Sequence, residues 1–105
     1  MTAPALITVV YPATPSLQFD LEYYIAKHIP MVEKTWKPYG LKQAFVADLR
    51  AADGPYAIQC TMVFDTGVDG FQKAVKEVGA GVMADVKNFS NVKAVHLVGP
   101  VVTSV

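Results

Sequence analysis

The chain has 105 residues, nine basic against nine acidic side chains, no net charge, and 52% hydrophobic against 17% charged residues. That length predicts one domain spanning residues 1–105, and the balanced charge without a basic run argues against nucleic acid or an anionic membrane as partner. A chain this apolar should bury more than one small monomer can hide, which predicts an oligomer.

A single cysteine, Cys60, excludes an internal disulfide framework and any multi-cysteine metal site. The first residues, MTAPALITVVYP, lack a positively charged start, and their apolar run stops at Pro12. That run is too short for a signal peptide's apolar region or a membrane span, so the expected location is the cytoplasm.

In chain order, ALITVVY (5–11) is β-branched and apolar and predicts a strand ended by Pro12. After a proline-containing loop, Leu21, Tyr24, Ile25, His28, Val32 and Trp36 recur at helical spacing, with Asp20 as N-cap. Pro30 interrupts this helix: it lacks the N–H that would bond Ala26, and its ring crowds the same carbonyl. The expectation is a broken turn at Pro30, and KPYG ends the helix. Residues 41–50 and 56–65 predict two strands joined by AADGP as an antiparallel hairpin, with Ile58, Cys60, Met62 and Phe64 sharing a face. A second helix should start at Asp69 with Gln72 as its capping-box partner. Gly79-Ala80-Gly81 should interrupt it, leaving one more short helix around Val82, Met83 and Val86. Residues 92–102 predict the last strand.

Strand, helix, strand, strand, helix, strand is the ferredoxin-like α+β arrangement, an antiparallel sheet with both helices on one face. The strands are apolar on both sides (Leu6, Val10, Val46, Val63, Val95, Leu97), so the open face needs a cover. A second copy of the same sheet is the simplest one. It would give a homodimeric α+β barrel.

His28 is the residue with chemistry to offer. It is either a core histidine bonded to the backbone carbonyl that Pro30 frees, or a pocket acid–base group sharing a polar hole with Tyr24. His96, in the last strand, reads first as a sheet histidine at the dimer seam, with ligand contact as the alternative. Buried among Ile58 and Met62, Cys60 is expected to be inert. Tyr11, Tyr23, Tyr24, Tyr39, Tyr56 and Trp36 could floor a pocket for an apolar or aromatic small molecule. Histidine pairs at metal-ligand spacing, a nucleophile elbow and a phosphate-cradling glycine loop are absent from the sequence, which predicts no metal and no cofactor.

Tyr11-Pro12, Tyr23-Tyr24 followed by His28-Ile29-Pro30, Phe64-Asp65, and Asp85 followed by Asn88-Phe89-Ser90 together resemble the EthD family. The resemblance spans nearly the whole chain. It implies a dimeric α+β barrel and a role in oxidative catabolism of ethers or of aromatic and polyketide-type compounds, where relatives are associated with decarboxylation, dehydration, cyclisation or cofactor-free oxygenation. It implies His28 as the candidate catalytic acid or base, and Asn88 and Phe89 beside it in the pocket. Lys87 stands where a proline is expected before the Asn-Phe pair, and Asn91 where an acidic residue is common. The alternative function is a non-catalytic dimer that sequesters a hydrophobic intermediate or supports an oxygenase partner.

Overall fold

The computed structural model describes residues 3–105. Its four strands are β1 (Ala5–Pro12), β2 (Leu41–Asp48), β3 (Tyr56–Phe64) and β4 (Val95–Pro100), in the order β2-β3-β1-β4 with every neighbour antiparallel. With its two helical segments on one face, this is the ferredoxin-like βαββαβ fold that the sequence pattern predicts. Along β1, Ala5, Ile7, Val9 and Tyr11 point towards the helices, opposite Phe64, Met62, Cys60 and Ile58 of β3. All eight are buried and form the floor of the core.

The opposite face is open. Leu6, Phe45, Val95 and Leu97 lie on it at 42, 58, 39 and 55% exposure. Val46 does not belong there: it pairs with Cys60 and so turns towards the helices. β2 ends two residues earlier than expected, because Arg50–Ala52 coils into a helical turn closed by Asp53 in the left-handed region at φ 55°. β4 is likewise shorter than the expected 92–102.

The first helical segment comprises α1 (Leu21–Tyr23), a π-helical turn (Tyr24–His28) and α2 (Ile29–Trp36). Asp20 caps it as expected, its Oδ1 accepting the Tyr23 N–H at 3.0 Å. Pro30 does not break the helix. Instead the Ile29 N–H reaches back to the Tyr24 carbonyl, and this wider turn accommodates the proline with the flanking backbone still right-handed. The extra residue also affects the buried stripe. Tyr24, His28, Val32 and Trp36 are four apart, and in a pure α-helix each such step overshoots a turn by about 40°. The slower winding of the π turn keeps the first two aligned, with the Tyr24 and His28 rings stacked at 5.3 Å and 16°. Ile25, expected on the stripe, is 53% exposed because it sits one position off this row.

The segment ends at Gly40, whose φ of 116° only glycine adopts readily. A Cβ there would collide with the Thr66 side chain, which is itself fixed by donating to the Tyr39 carbonyl at 2.6 Å. α3 (Gly67–Ala84) begins before Asp69, so the expected Asp69–Gln72 capping box is absent; both residues lie inside the helix. The expected interruption is a kink rather than a gap. Val78 adopts non-helical angles (φ −138°, ψ 17°), and the helix resumes through Gly79 to Ala84. A single turn at Val86–Asn88 then leads to β4.

Candidate functional site

Two aromatic clusters prop the helices off the sheet. Trp36, Phe64 and Phe71 meet edge to face at 5.4–6.0 Å between ring centres at one end. Tyr11, Phe19, Tyr24 and Phe89 meet at 4.9–5.9 Å at the other. Such wide rings leave space between their clusters. A pocket of about 310 Å³ opens there, floored by Val9, Cys60 and Met62 of the sheet and walled by residues of α2 and the second half of α3.

His28 lies in its wall, 5% exposed. Its Nδ1 is 2.9 Å from Asp85 Oδ2, and not bonded to a backbone carbonyl as one reading of the sequence had it. The other oxygen of Asp85 accepts from the Tyr23 hydroxyl at 2.7 Å and the Asn88 side-chain amide at 2.9 Å. With a carboxylate receiving it, the proton of a neutral imidazole belongs on Nδ1. That leaves Nε2 as an acceptor, and among the described residues no side chain bonds it. Phe89 packs against the imidazole at 4.5 Å and excludes water from that side.

The electrostatics fit this arrangement. Burial alone would raise the Asp85 carboxyl, but the bonds from Asn88, Tyr23 and His28 outweigh it and hold the group below its usual range. Donation to that carboxylate raises the Tyr23 phenol. Burial pushes the Tyr11 and Tyr24 phenols well above the ordinary phenol range, and it raises the Cys60 thiol as well. All three therefore stay neutral at physiological pH, and Cys60 is no nucleophile.

Of the residues singled out from the sequence, His28, Tyr11, Tyr24, Trp36 and His96 all line this pocket. His96 is in register with Val9, which turns it to the helix side of the sheet rather than to the open face where a dimer seam would lie. Asn88 and Phe89 are not in the wall; they stand behind His28, one holding Asp85 and the other packed on the ring. Tyr39 bonds Glu77 at 3.1 Å, and Tyr56 is 37% exposed; neither reaches the pocket. Asp85 is the residue that sequence reasoning passed over as a functional group. It lies 57 positions from His28, so no local spacing connects the two; only its place three residues before Asn88 drew attention to it. Among the described residues no three histidine, cysteine or carboxylate side chains converge as a metal site would need. Among the same residues no helix is long and apolar enough to cross a membrane.

Fold and pocket together define a ferredoxin-like α+β protein with a small-molecule-sized cavity between helices and sheet. The solved structures most informative about it are EthD-like. An EthD-like protein from Ralstonia eutropha superposes with a TM-score of 0.84 at 24% identity, covering 100% of this chain and 97% of that one. An ethyl tert-butyl ether D (EthD) family protein from Bacillus halodurans gives 0.70 at 19% identity, covering 93% of this chain and 98% of that one. A dimeric ferredoxin-like protein of unknown function from Thermobifida fusca gives 0.62 at 17% identity, covering 96% and 93%. No family model matches the chain, and no curated protein does. The resemblance to EthD proteins thus holds in the fold, over the full length of the chain.

Proposed function

We propose that this is an EthD-like, cofactor-free acid–base protein acting on apolar or aromatic small molecules in oxidative catabolism, with His28 as the proton-transferring group and Asp85 orienting it. The observation that carries this reading is the 2.9 Å Nδ1–Asp85 contact, which leaves Nε2 free beside an apolar pocket. A carboxylate that fixes the tautomer and stabilises the imidazolium is the arrangement a histidine base needs. In such a step Nε2 takes a proton from carbon or oxygen of the ligand and returns it, so no electron acceptor is required.

The protein acts as a homodimer in this reading. Leu6, Phe45, Val95 and Leu97 make an exposed apolar sheet face of the kind that marks an interface, and the Thermobifida fusca protein of the same fold is described as dimeric.

Proton exchange tests the chemistry without knowledge of the pathway. Aromatic ketones such as tetralone exchange their α-protons for deuterium in heavy water, and NMR follows the loss. The wild-type protein should accelerate exchange, and His28→Gln should slow it by about 10²-fold, the usual range for losing an acid–base group. The mutant should melt within a few degrees of the wild type. Exchange no faster than in buffer would refute the acid–base role. A strongly destabilised His28→Gln that exchanges normally would make His28 scaffold. A second reading, a non-catalytic carrier of a hydrophobic intermediate, draws on the mostly apolar pocket wall and predicts ligand binding without exchange.

A further inference from the structure

The pocket wall is one-sided in charge: it includes a lysine and no carboxylate. Besides His28, the polar residues among its lining are Tyr11, Tyr24, Cys60, Trp36, Lys93 and His96. It holds no carboxylate and no amide side chain. The phenols and thiol stay neutral for the reasons given above and bond one another through Tyr24, so they add no charge to the wall. The indole N–H is buried with no acceptor among the described residues. Lys93 is exposed, and it makes no ion pair among those residues, whose salt bridges join Lys42 to Asp65, Arg50 to Asp48 and His28 to Asp85. Asp85, the partner of His28, is occupied by three donors and lies outside the wall.

Lys93 and His96 come from the stretch that leads into and begins β4, on the exposed side of the pocket, whereas Val9, Cys60 and Met62 close its floor. A ligand therefore meets a largely apolar, uncharged interior and a mouth carrying a cation. Like charge is excluded there and opposite charge is attracted, with partial screening by water and salt.

From this distribution, and resting on the reading of the pocket as the ligand site, we infer that the ligand is an organic anion. Its apolar or aromatic body fills the cavity, and a carboxylate or acidic hydroxyl lies at the mouth against Lys93 and His96. Lys93 is then a specificity-determining residue, separate from the His28–Asp85 pair.

Three ligands of one shape test this: naphthoate, naphthamide and naphthylmethylammonium, titrated calorimetrically into the full chain. Naphthoate should bind about tenfold more tightly than naphthamide, the order of a partly exposed charged hydrogen bond. The cation should bind weakest. Lys93→Gln, a surface change that leaves the core untouched, should erase the preference for naphthoate and leave naphthamide affinity as it was. Added salt should weaken naphthoate alone. Equal affinities for naphthoate and naphthamide in the wild type, or a preference that survives Lys93→Gln, would overturn the inference while the pocket reading stands. Val82→Trp, which fills the cavity, checks that reading separately. If none of the three binds, or if Val82→Trp leaves naphthamide binding unchanged, the pocket reading and the inference fall together.

Discussion

Replacing Asp85 by asparagine should move a proton across the imidazole of His28. In the native arrangement one carboxylate oxygen accepts from Tyr23 and Asn88, and the other accepts from His28 Nδ1. An asparagine in the same pose keeps its carbonyl towards the two donors. Its amide N–H₂ then faces Nδ1, which must become an acceptor, so the ring proton passes to Nε2. Two bonds to a charged acceptor become bonds to a neutral one, and the third reverses direction. Since a charged partner contributes about 1.5–3 kcal/mol per bond and a neutral one about 1, the net cost should be about 1–4 kcal/mol. At 16% exposure Asp85 is shielded enough for most of that to be felt. A domain of this size should then melt about 5–20 °C lower. Long-range nitrogen–proton NMR reads the tautomer directly: Nδ1–H in the wild type, Nε2–H in Asp85→Asn. Proton exchange from the ketone should fall by about 10²-fold with it. A wild-type ring protonated at Nε2, or a mutant ring still protonated at Nδ1, would refute the orienting role whatever happened to the melting temperature.

The depressed Asp85 carboxyl also gives a pH signature, because a group held lower in the folded state adds stability above its unfolded value, about 4. That contribution is lost as pH falls through the folded value, so the wild type should lose stability on the acid side more steeply than Asp85→Asn in melts from pH 6 down to about 3. Light scattering coupled to size exclusion should report twice the 11.3 kDa chain mass, and Phe45→Glu together with Leu97→Glu should yield monomer; a monomeric wild type would remove the argument from the open sheet face. Gly40→Ala should cost at least about 1–2 kcal/mol in denaturant titrations, since a left-handed φ and the Thr66 side chain both resist a Cβ. Gly81→Ala, exposed in α3 with open space where its Cβ would go, should instead gain about 0.5–1 kcal/mol.

The fold was legible because its signals are local and repeat. The alternation of β1 and β3, the Asp20 cap and the glycine stop at Gly40 each needs only a few neighbouring residues, and each appears in the structure where the sequence places it. Pro30 misled for the same reason. Its lost N–H and its ring predict a break in an α-helix, while a π turn accommodates them at the scale of the whole segment, where propensity has no voice. His28 could be singled out as the one helical histidine on a buried stripe, but its partner could not. Asp85 meets it from the far end of α3, beyond the kink at Val78, and that kink is visible in the sequence merely as the nearby Gly79 and Gly81. The face of His96 stayed open in the sequence because alternation gives the two faces of a strand but not which is which. The register with Val9 supplies that.

The central position of β1 has a consequence for how the protein comes into being. Ala5 pairs with Phe64 on one side and with Pro100 on the other, so β1 finds its second neighbour only after the helices and strands between it and β4 have emerged. Closing loops that long is entropically unfavourable and slow compared with forming the β2–β3 hairpin. During synthesis, therefore, Tyr11 and His28 exist for some time before Asp85 and His96 can join them. A nascent chain holds half of a pocket whose apolar floor lies open along one edge of β1. Until β4 docks, that edge offers unpaired backbone to any passing strand, which makes β4 the element that most governs whether the domain folds or aggregates.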